Sequence, residues 1–550
     1  MIKKSQLLIV LGLALLLYAS CNNFPFKQKG ENTSAYYVDP DGDDTNNGTS
    51  PNKAWQTLTK VNGHAYNPGD SILFKKDGIW YGQLMPIGSG RSGNPIVIDQ
   101  YGLGAGKPTI DALGTTDNDG AVLRLYNQEY WEINNLNLTN YSDSGNWRAG
   151  ILVLAKDFGT ANHIYIKNCE LHDIQTITKS SFTEWKKPIF ETPVYNDNVV
   201  NKMWGNSSGI DFRSLRGDRN KPTNFNDILI QGNTIKNITE FGHAIAMTSE
   251  WSDPTGSNAV WGELTYSTNV IVQNNLMTGF LGFGAINMCT FSSDDGISKI
   301  EGNLSDRDGT GACAIWIYVA KGVLIQYNEV RNNKRDVNGN DCGAFDADGL
   351  CDGNIFQYNY SNNNDGEPYM LCNTNWEGWH KQQYCKNNII RYNISQRDGK
   401  QSSRASFLVV SEGSNDNFIY NNTIYIPSNN STPIINYHGS SDNNKFYNNI
   451  IYNFGSGIYN ISGSGNVFDF NCFYGNHPIN EPTDDHKSTA DPLLANPGSG
   501  SNGRNTLNGY KLQAGSPSID NGIIILRNGG LDFWGNAVKT ENPDRGAHEY

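Results

Sequence analysis

The sequence predicts an all-β solenoid of short strands wound into successive coils, and three observations carry that reading. First, one phrase keeps returning: "DILIQGNTI", "NVIVQNNLM", "ISKIEGNLS", "GVLIQYNEV", "GNIFQYNYS", "NNIIRYNIS", "DNFIYNNTI", "NNKFYNNII" and "GNVFDFNCF". Each sets an apolar residue, two spacers and then Asn233, Asn275, Asn303, Asn328, Asn359, Asn393, Asn422, Asn449 or Asn471, with spacings of 22 to 42 residues. Second, alternation within the phrases has the period of a strand, and recurrence at this interval marks a repeat array. Third, 58 glycines, abundant asparagine and only 37% hydrophobic residues suit many turns rather than a helical bundle.

The elements follow in chain order. "MIKK" and the apolar run "LLIVLGLALLLYAS" end at Cys21. The run is too short for a mature membrane span. It resembles a bacterial lipoprotein signal, which implies a signal peptide over 1–21, lipidation of Cys21, and a cell-envelope location through a lipid anchor. Residues 22–34 read as a polar tether. "YYVDPDGDDTNNGTSPNKAWQTLTKVN" reads as a strand, a loop and a short helix. This forms an N-terminal helical cap, with the first coils, over 35–130. An array needs such a cap because its first coil would otherwise expose a core and a strand edge.

The repeat array spans 131–480, with variable loops and a large insertion at about 175–222 expected to form an arm over one face. "YWEINNLNL" and "HIYIKNCEL" read as early copies with Leu136 and Cys169 at the asparagine position. Stacked coils bring like residues within about 4.8 Å. An asparagine ladder then has a reason: each amide can bond the next, and asparagine tolerates a tight turn. Residues 481–550, with "GYKLQAGSPSIDNG" and "PDRGAHEY", read as a C-terminal cap.

A second strand phrase follows each asparagine phrase. We align these on Ile210, Ile245, Ile286, Ile315, Phe345, Tyr369, Phe407 and Ile435, which should point inward. Positions one and three later should point outward. The first outward column reads Asp211, Ala246, Asn287, Trp316, Asp346, Met370, Leu408, Asn436. The second reads Arg213, Thr248, Cys289, Tyr318, Asp348, Cys372, Val410, His438. Asp346 and Asp348, in "GAFDADG", therefore share one exposed face, with Trp316 and Tyr318 one coil away. Aromatics beside carboxylates suit a sugar groove, because rings cover apolar sugar faces while carboxylates bond hydroxyls or move protons.

The opening, the coils and the closing "DRGAHEY" resemble the right-handed parallel β-helix superfamily, whose members are mostly secreted enzymes acting on polysaccharides. The resemblance implies a polysaccharide lyase, a uronate oligosaccharide dehydratase or a glycoside hydrolase. The first expectation is β-elimination at a uronic acid, leaving a 4,5-unsaturated uronate. His243 or Tyr318 would then act as base or acid, and Arg213 would neutralise the substrate carboxylate, with Asp346 and Asp348 nearby. The alternative is glycoside hydrolysis by a carboxylate pair, Asp346 with Asp348 or either with Glu367. A third reading is a non-catalytic glycan-binding lipoprotein. Asp211, Glu250, Asn287, Trp316, Glu367 and His438 would bind substrate.

A net charge of −13 excludes a nucleic-acid partner, which needs a basic stripe. The expected partner is an acidic polysaccharide or oligosaccharide, with a monomeric protein touching the membrane only through its lipid. The eight cysteines beyond Cys21 form no CxxC pair, so zinc is not expected. Cys342 with Cys351 is a candidate disulfide, and buried thiols are the equal alternative. No cofactor is required, although the Asp pair and its neighbours could hold calcium.

Overall fold

The computed structural model describes residues 33–144, 146–175, 208–215, 217–218, 220–238, 242–249, 265–279, 284–293, 297–307, 312–335, 341–373, 384–401 and 403–550. Cys21 with the signal segment, Glu250, and residues 176–207 of the expected arm lie outside the described residues. From Ala35 onward the chain winds as a right-handed parallel β-helix. Among the described residues, sheet 1 has 14 strands, from Ala35–Val38 to Val467–Asp469. Sheet 2 has 13, from Ile79–Tyr81 to Cys472–Gly475, and sheet 3 has 13, from Ala121–Tyr126 to Tyr459–Asn460. Each coil visits the sheets in that order, as in Asn224–Gln231, Thr234–Ile238 and His243–Ser249.

Register is kept by apolar stacking inside and by hydrogen bonds at the corners. In sheet 1 the inward residues Ile230, Val272, Ile300, Ile325, Phe356, Ile390, Ile419, Phe446 and Phe468 pair rung by rung, and all are buried. Burying each such side chain stabilises the fold by roughly 1.5–3 kcal/mol. A one-residue slip would turn the whole column outward.

The asparagine ladder forms as the sequence predicts. The Asn275 backbone N–H and Nδ2 both donate to Asn303 Oδ1, at 3.0 and 2.9 Å, and Nδ2 also donates to the Ile230 carbonyl at 3.0 Å. The pattern repeats from Asn233 to Asn471, begins with the Cys169 N–H on Asn233 Oδ1, and ends on the Asp484 carboxylate. A second ladder runs Asn354, Asn388, Asn417, Asn444, Asn466, and a third runs Asn333, Asn364, Asp398. The left-handed residue is not the ladder asparagine, as expected above, but the residue before it. Gly232, Asn274, Gly302, Tyr327, Tyr358, Tyr392 and Asn421 all have positive φ. The tyrosines accept that conformation where their rings lie near one another, Tyr327 to Tyr358 at 5.1 Å and Tyr358 to Tyr392 at 6.2 Å.

Three other expectations change, and one open alternative, thiols or a disulfide at Cys342 and Cys351, is decided. Tyr369 pairs with Leu408, not Phe407, so Val409 and Ser411 occupy the outward positions. Cys342 and Cys351 are both free and buried, as thiols. The coil resumes at Ser208–Leu215, a strand of sheet 3, so the insertion ends before residue 208. Finally, the C-terminal segment does more than close an end. It runs back along the outside of sheets 1 and 2, where Tyr358 Oη donates to the Leu531 carbonyl, Tyr360 Oη to the Ser501 carbonyl, and the Gly503 N–H to Glu329. At the other end, Thr57 caps the short helix Leu58–Asn62, whose Leu58 and Val61 close the core.

Candidate active site

Connections between sheets 1 and 2 are two residues long from Gly232–Asn233 through Phe470–Asn471, and the C-terminal segment covers part of that side. The connections on either side of sheet 3 vary widely in length, so its outer face is where loops can shape a site. The register Asp211, Ala246, Asn287, Trp316, Asp346, Met370 holds rung by rung. The expected exposure does not. Asp211, Asn287, Trp316 and Asp346 are all buried, Asp346 with only 4% of its surface exposed. A pleated strand still directs these side chains away from the core, but other segments cover them.

The chemistry concentrates around "GAFDADG". Strand Ile315–Lys321 is continuous, whereas the next coil breaks into Phe345–Ala347 and Cys351–Asp352. Ile317 pairs with Ala347 and Lys321 with Asp352, so the later coil carries one extra residue. This bulge, with Leu350 in the left-handed region, re-aims Asp348. The Asp348 N–H donates to the Ile317 carbonyl, and its Oδ1 accepts from the Gly349 N–H at 2.9 Å. Gly343 is required for another reason: a Cβ there would stand 2.7 Å from the Glu367 carbonyl and 3.1 Å from Glu367 Oε1.

Burial, reinforced by Asp348, Asp341 and Glu367, holds the Asp346 carboxyl well above the ordinary carboxylate range, while Arg404 pulls the other way. Asp346 Oδ1 is buried with no hydrogen-bond partner among the described residues. The site therefore favours the protonated form of the Asp346 carboxyl. Asp348 is partly buried, and Asp341 has 41% of its side chain exposed. Arg404 binds Glu367 through Nε at 2.7 Å and through Nη2, and pairs with Asp341 at 2.8 Å through Nη1. Neither Asp341 nor Arg404 is singled out by the sequence pattern, because both sit in the irregular segments entering sheet 3.

The other expected residues divide. Trp316 is the rung next to Asp346, and its buried indole Nε1 has no hydrogen-bond partner among the described residues. The His243 ring lies 6.0 Å from that indole, reaching past Gly284, which has no side chain. Asn287 Nδ2 lies 3.5 Å from His243 Nε2, and the Cys289 thiol donates to Asn287 Oδ1 at 3.2 Å. Tyr318 is partly buried beside Cys289. Asp211 and Arg213 stand apart, four rungs from Asp346 or roughly 19 Å. Arg213 binds Asp211 through Nε at 2.8 Å and Nη2 at 2.5 Å. His438 is exposed, beside Asn436 at 3.0 Å and three rungs beyond Asp346. Glu367 is fully buried against Arg404 and cannot touch a ligand as it stands. Among the described residues no group of three or more His, Cys, Asp and Glu side chains converges as a metal site.

No protein-family model matches the chain. It is 28% identical, over 618 aligned residues and 94% of its length, to the lacto-N-biosidase of Bifidobacterium longum subsp. longum. The chain spans about a third, 36%, of that relative. Among solved structures, GH136 lacto-N-biosidase from Eubacterium ramulus aligns over 79% of this chain and 68% of its own, at TM-score 0.53 and 21% identity. The complex of XylC with xylose aligns over 94% and 98% at TM-score 0.51 and 12% identity. The fold shared with these structures is the parallel β-helix.

Proposed function

We propose that the chain is a glycoside hydrolase cleaving an oligosaccharide in the groove of sheet 3. One observation carries the reading: Asp346 is a buried carboxyl pushed well above the ordinary carboxylate range, two residues from a second, more accessible carboxyl, Asp348. Asp346 would protonate the leaving glycosidic oxygen. Asp348 would attack the anomeric carbon or activate a water, and Trp316 would cover the apolar face of a sugar. The name of the curated relative supports a substrate bearing a terminal lacto-N-bioside.

Elimination at a uronate is less well supported. It needs cations near the substrate carboxylate, and Arg213 is tied to Asp211 far from the Asp pair. The cluster of Asp341, Asp346, Asp348 and Glu367 against Arg404 would repel an anionic sugar. Export and lipidation at Cys21 remain part of the proposal, and mass spectrometry of the membrane-extracted N-terminal peptide tests them.

The test is incubation with lacto-N-biosides, xylosides and uronate oligosaccharides, reading both released sugar and the ultraviolet absorbance of an unsaturated uronate. Release without new absorbance supports hydrolysis, new absorbance restores elimination, and binding without turnover supports a glycan-binding protein. Asp346→Asn and Asp348→Asn should each lower kcat/KM at least about 100-fold. A second assignment is favoured by the accessibility of Asp341, 41% against 4% for Asp346. In it Asp341 and Asp348 meet the sugar and Asp346 stores the proton behind them. Asp341→Asn would then abolish turnover while Asp346→Asn keeps part of it.

A further inference from the structure

We infer that Arg404 is a positioning residue that sets how many protons the carboxylate cluster carries, a role that rests on the hydrolytic reading above. Glu367, Asp341 and Arg404 occupy the segments that enter sheet 3 on three successive coils, ahead of Tyr369–Leu371, Phe345–Ala347 and Leu408–Ser411. From the last of these coils the guanidinium reaches back across the other two. It forks onto both oxygens of Glu367, touches Met370 Sδ at 3.2 Å, and places Nη1 2.8 Å from Asp341 Oδ1. One planar cation thus bridges two carboxylates that flank the reacting face, a geometry that lysine cannot reproduce.

The groups acting on Asp346 are Asp348 on its own coil, Asp341 before it, Glu367 one coil on, and Arg404. The thiols of Cys313, Cys351, Cys372 and Cys385 also surround it, and burial with the nearby carboxylates keeps them neutral. Burial works against the Arg404 charge, but Glu367 and Asp341 outweigh it and push its pKa up, so the cation persists throughout the working range. With it, Glu367 and Asp341 are each paired with a cation. Without it, Asp348, Asp341 and Glu367 act on Asp346 with no opposing Arg404 charge, and its carboxyl moves further above the ordinary range.

The experiment compares wild type, Arg404→Gln, Arg404→Lys and Glu367→Gln, each checked for cooperative unfolding. On a hydrolysed oligosaccharide, Arg404→Gln should move both limbs of the kcat/KM–pH profile upward by roughly one unit. Arg404→Lys should move them by less. Glu367→Gln removes an anion while keeping the cation, and it should move both limbs downward. The protonated-carboxyl infrared band of Asp346, identified by its loss in Asp346→Asn, should titrate with the same signs. This band is read whether or not a substrate turns over, so it decides the role of Arg404 even if no sugar is cleaved. Wild type without turnover on the whole panel overturns the hydrolytic reading. Limbs and band unmoved in both Arg404→Gln and Glu367→Gln overturn the Arg404 inference. If Arg404→Gln does not fold, the sign of the Glu367→Gln shift alone decides it.

Discussion

Asp398 closes the third ladder with a carboxylate where the geometry asks for an amide. Its Oδ1 accepts from the Asn364 N–H and Nδ2, at 2.9 and 2.8 Å, as a ladder asparagine would, and Oδ2 accepts from the Ser395 hydroxyl at 2.6 Å. Burial outweighs those hydrogen bonds and raises its pKa from 3.8 to about 6. In the unfolded chain the group titrates near its ordinary value. Below about pH 4 it is protonated in both states and the fold is unburdened. As pH rises through about 6 the buried group ionises, and the favourable contribution is lost. A two-unit gap corresponds to about 3 kcal/mol at pH 8. Asp398→Asn keeps the acceptor for Asn364, lets the Ser395 hydroxyl turn to accept, and removes the titration. We expect the variant to be more stable than wild type at pH 8, by up to about 3 kcal/mol, with the difference vanishing near pH 4. Denaturant unfolding at the two pH values measures it. Equal changes at both pH values, or a loss at pH 8, would refute the argument.

Two further outcomes follow from the same geometry. Asn328→Ala leaves the Ile300 carbonyl and the Asn303 N–H buried without their partners, and should cost about 2–5 kcal/mol by denaturant unfolding. Gly284→Ala would put a Cβ 3.0 Å from Trp316 Nε1 and 3.1 Å from His243 Cδ2, so those rings must shift. The reading of Trp316 as a sugar platform then requires KM to rise severalfold on whichever glycoside is cleaved while thermal unfolding stays near wild type.

The ladder was legible because its cause is local and repeated: each coil needs the same amide at the same corner, so asparagine recurs whatever the length of the coil. The register of sheet 3 was legible for the same reason through Tyr369. It failed at "SFLVVS" because Phe407 and Leu408 are both fully buried, so the alternation that marks faces disappears. The tyrosines in the left-handed region broke an expectation based on glycine and asparagine, since aromatic neighbours and the returning C-terminal segment offset a strain that a local reading assigns to the turn. The site was half legible. Asp346, Asp348 and Trp316 sit on periodic positions, whereas Asp341 and Arg404 sit where the chain has no period and only the fold brings them together.

That division has a physical origin. From Gly232–Asn233 onward, corners between sheets 1 and 2 are two residues long and carry ladder hydrogen bonds, so a substitution or insertion there disturbs every neighbouring coil. Connections bordering sheet 3 can lengthen at little cost in loop entropy while the strands keep register. Stability and chemistry are therefore carried by different corners of the same coil. A buried acid such as Asp346 is tolerable on sheet 3 because the ladders, rather than its own contacts, hold its strand in place. An unpartnered buried carboxyl still lowers stability, a cost that the acid role proposed for Asp346 would account for. The Asp346→Asn variant should consequently lose turnover without losing stability, whereas Asn328→Ala at a ladder position loses stability.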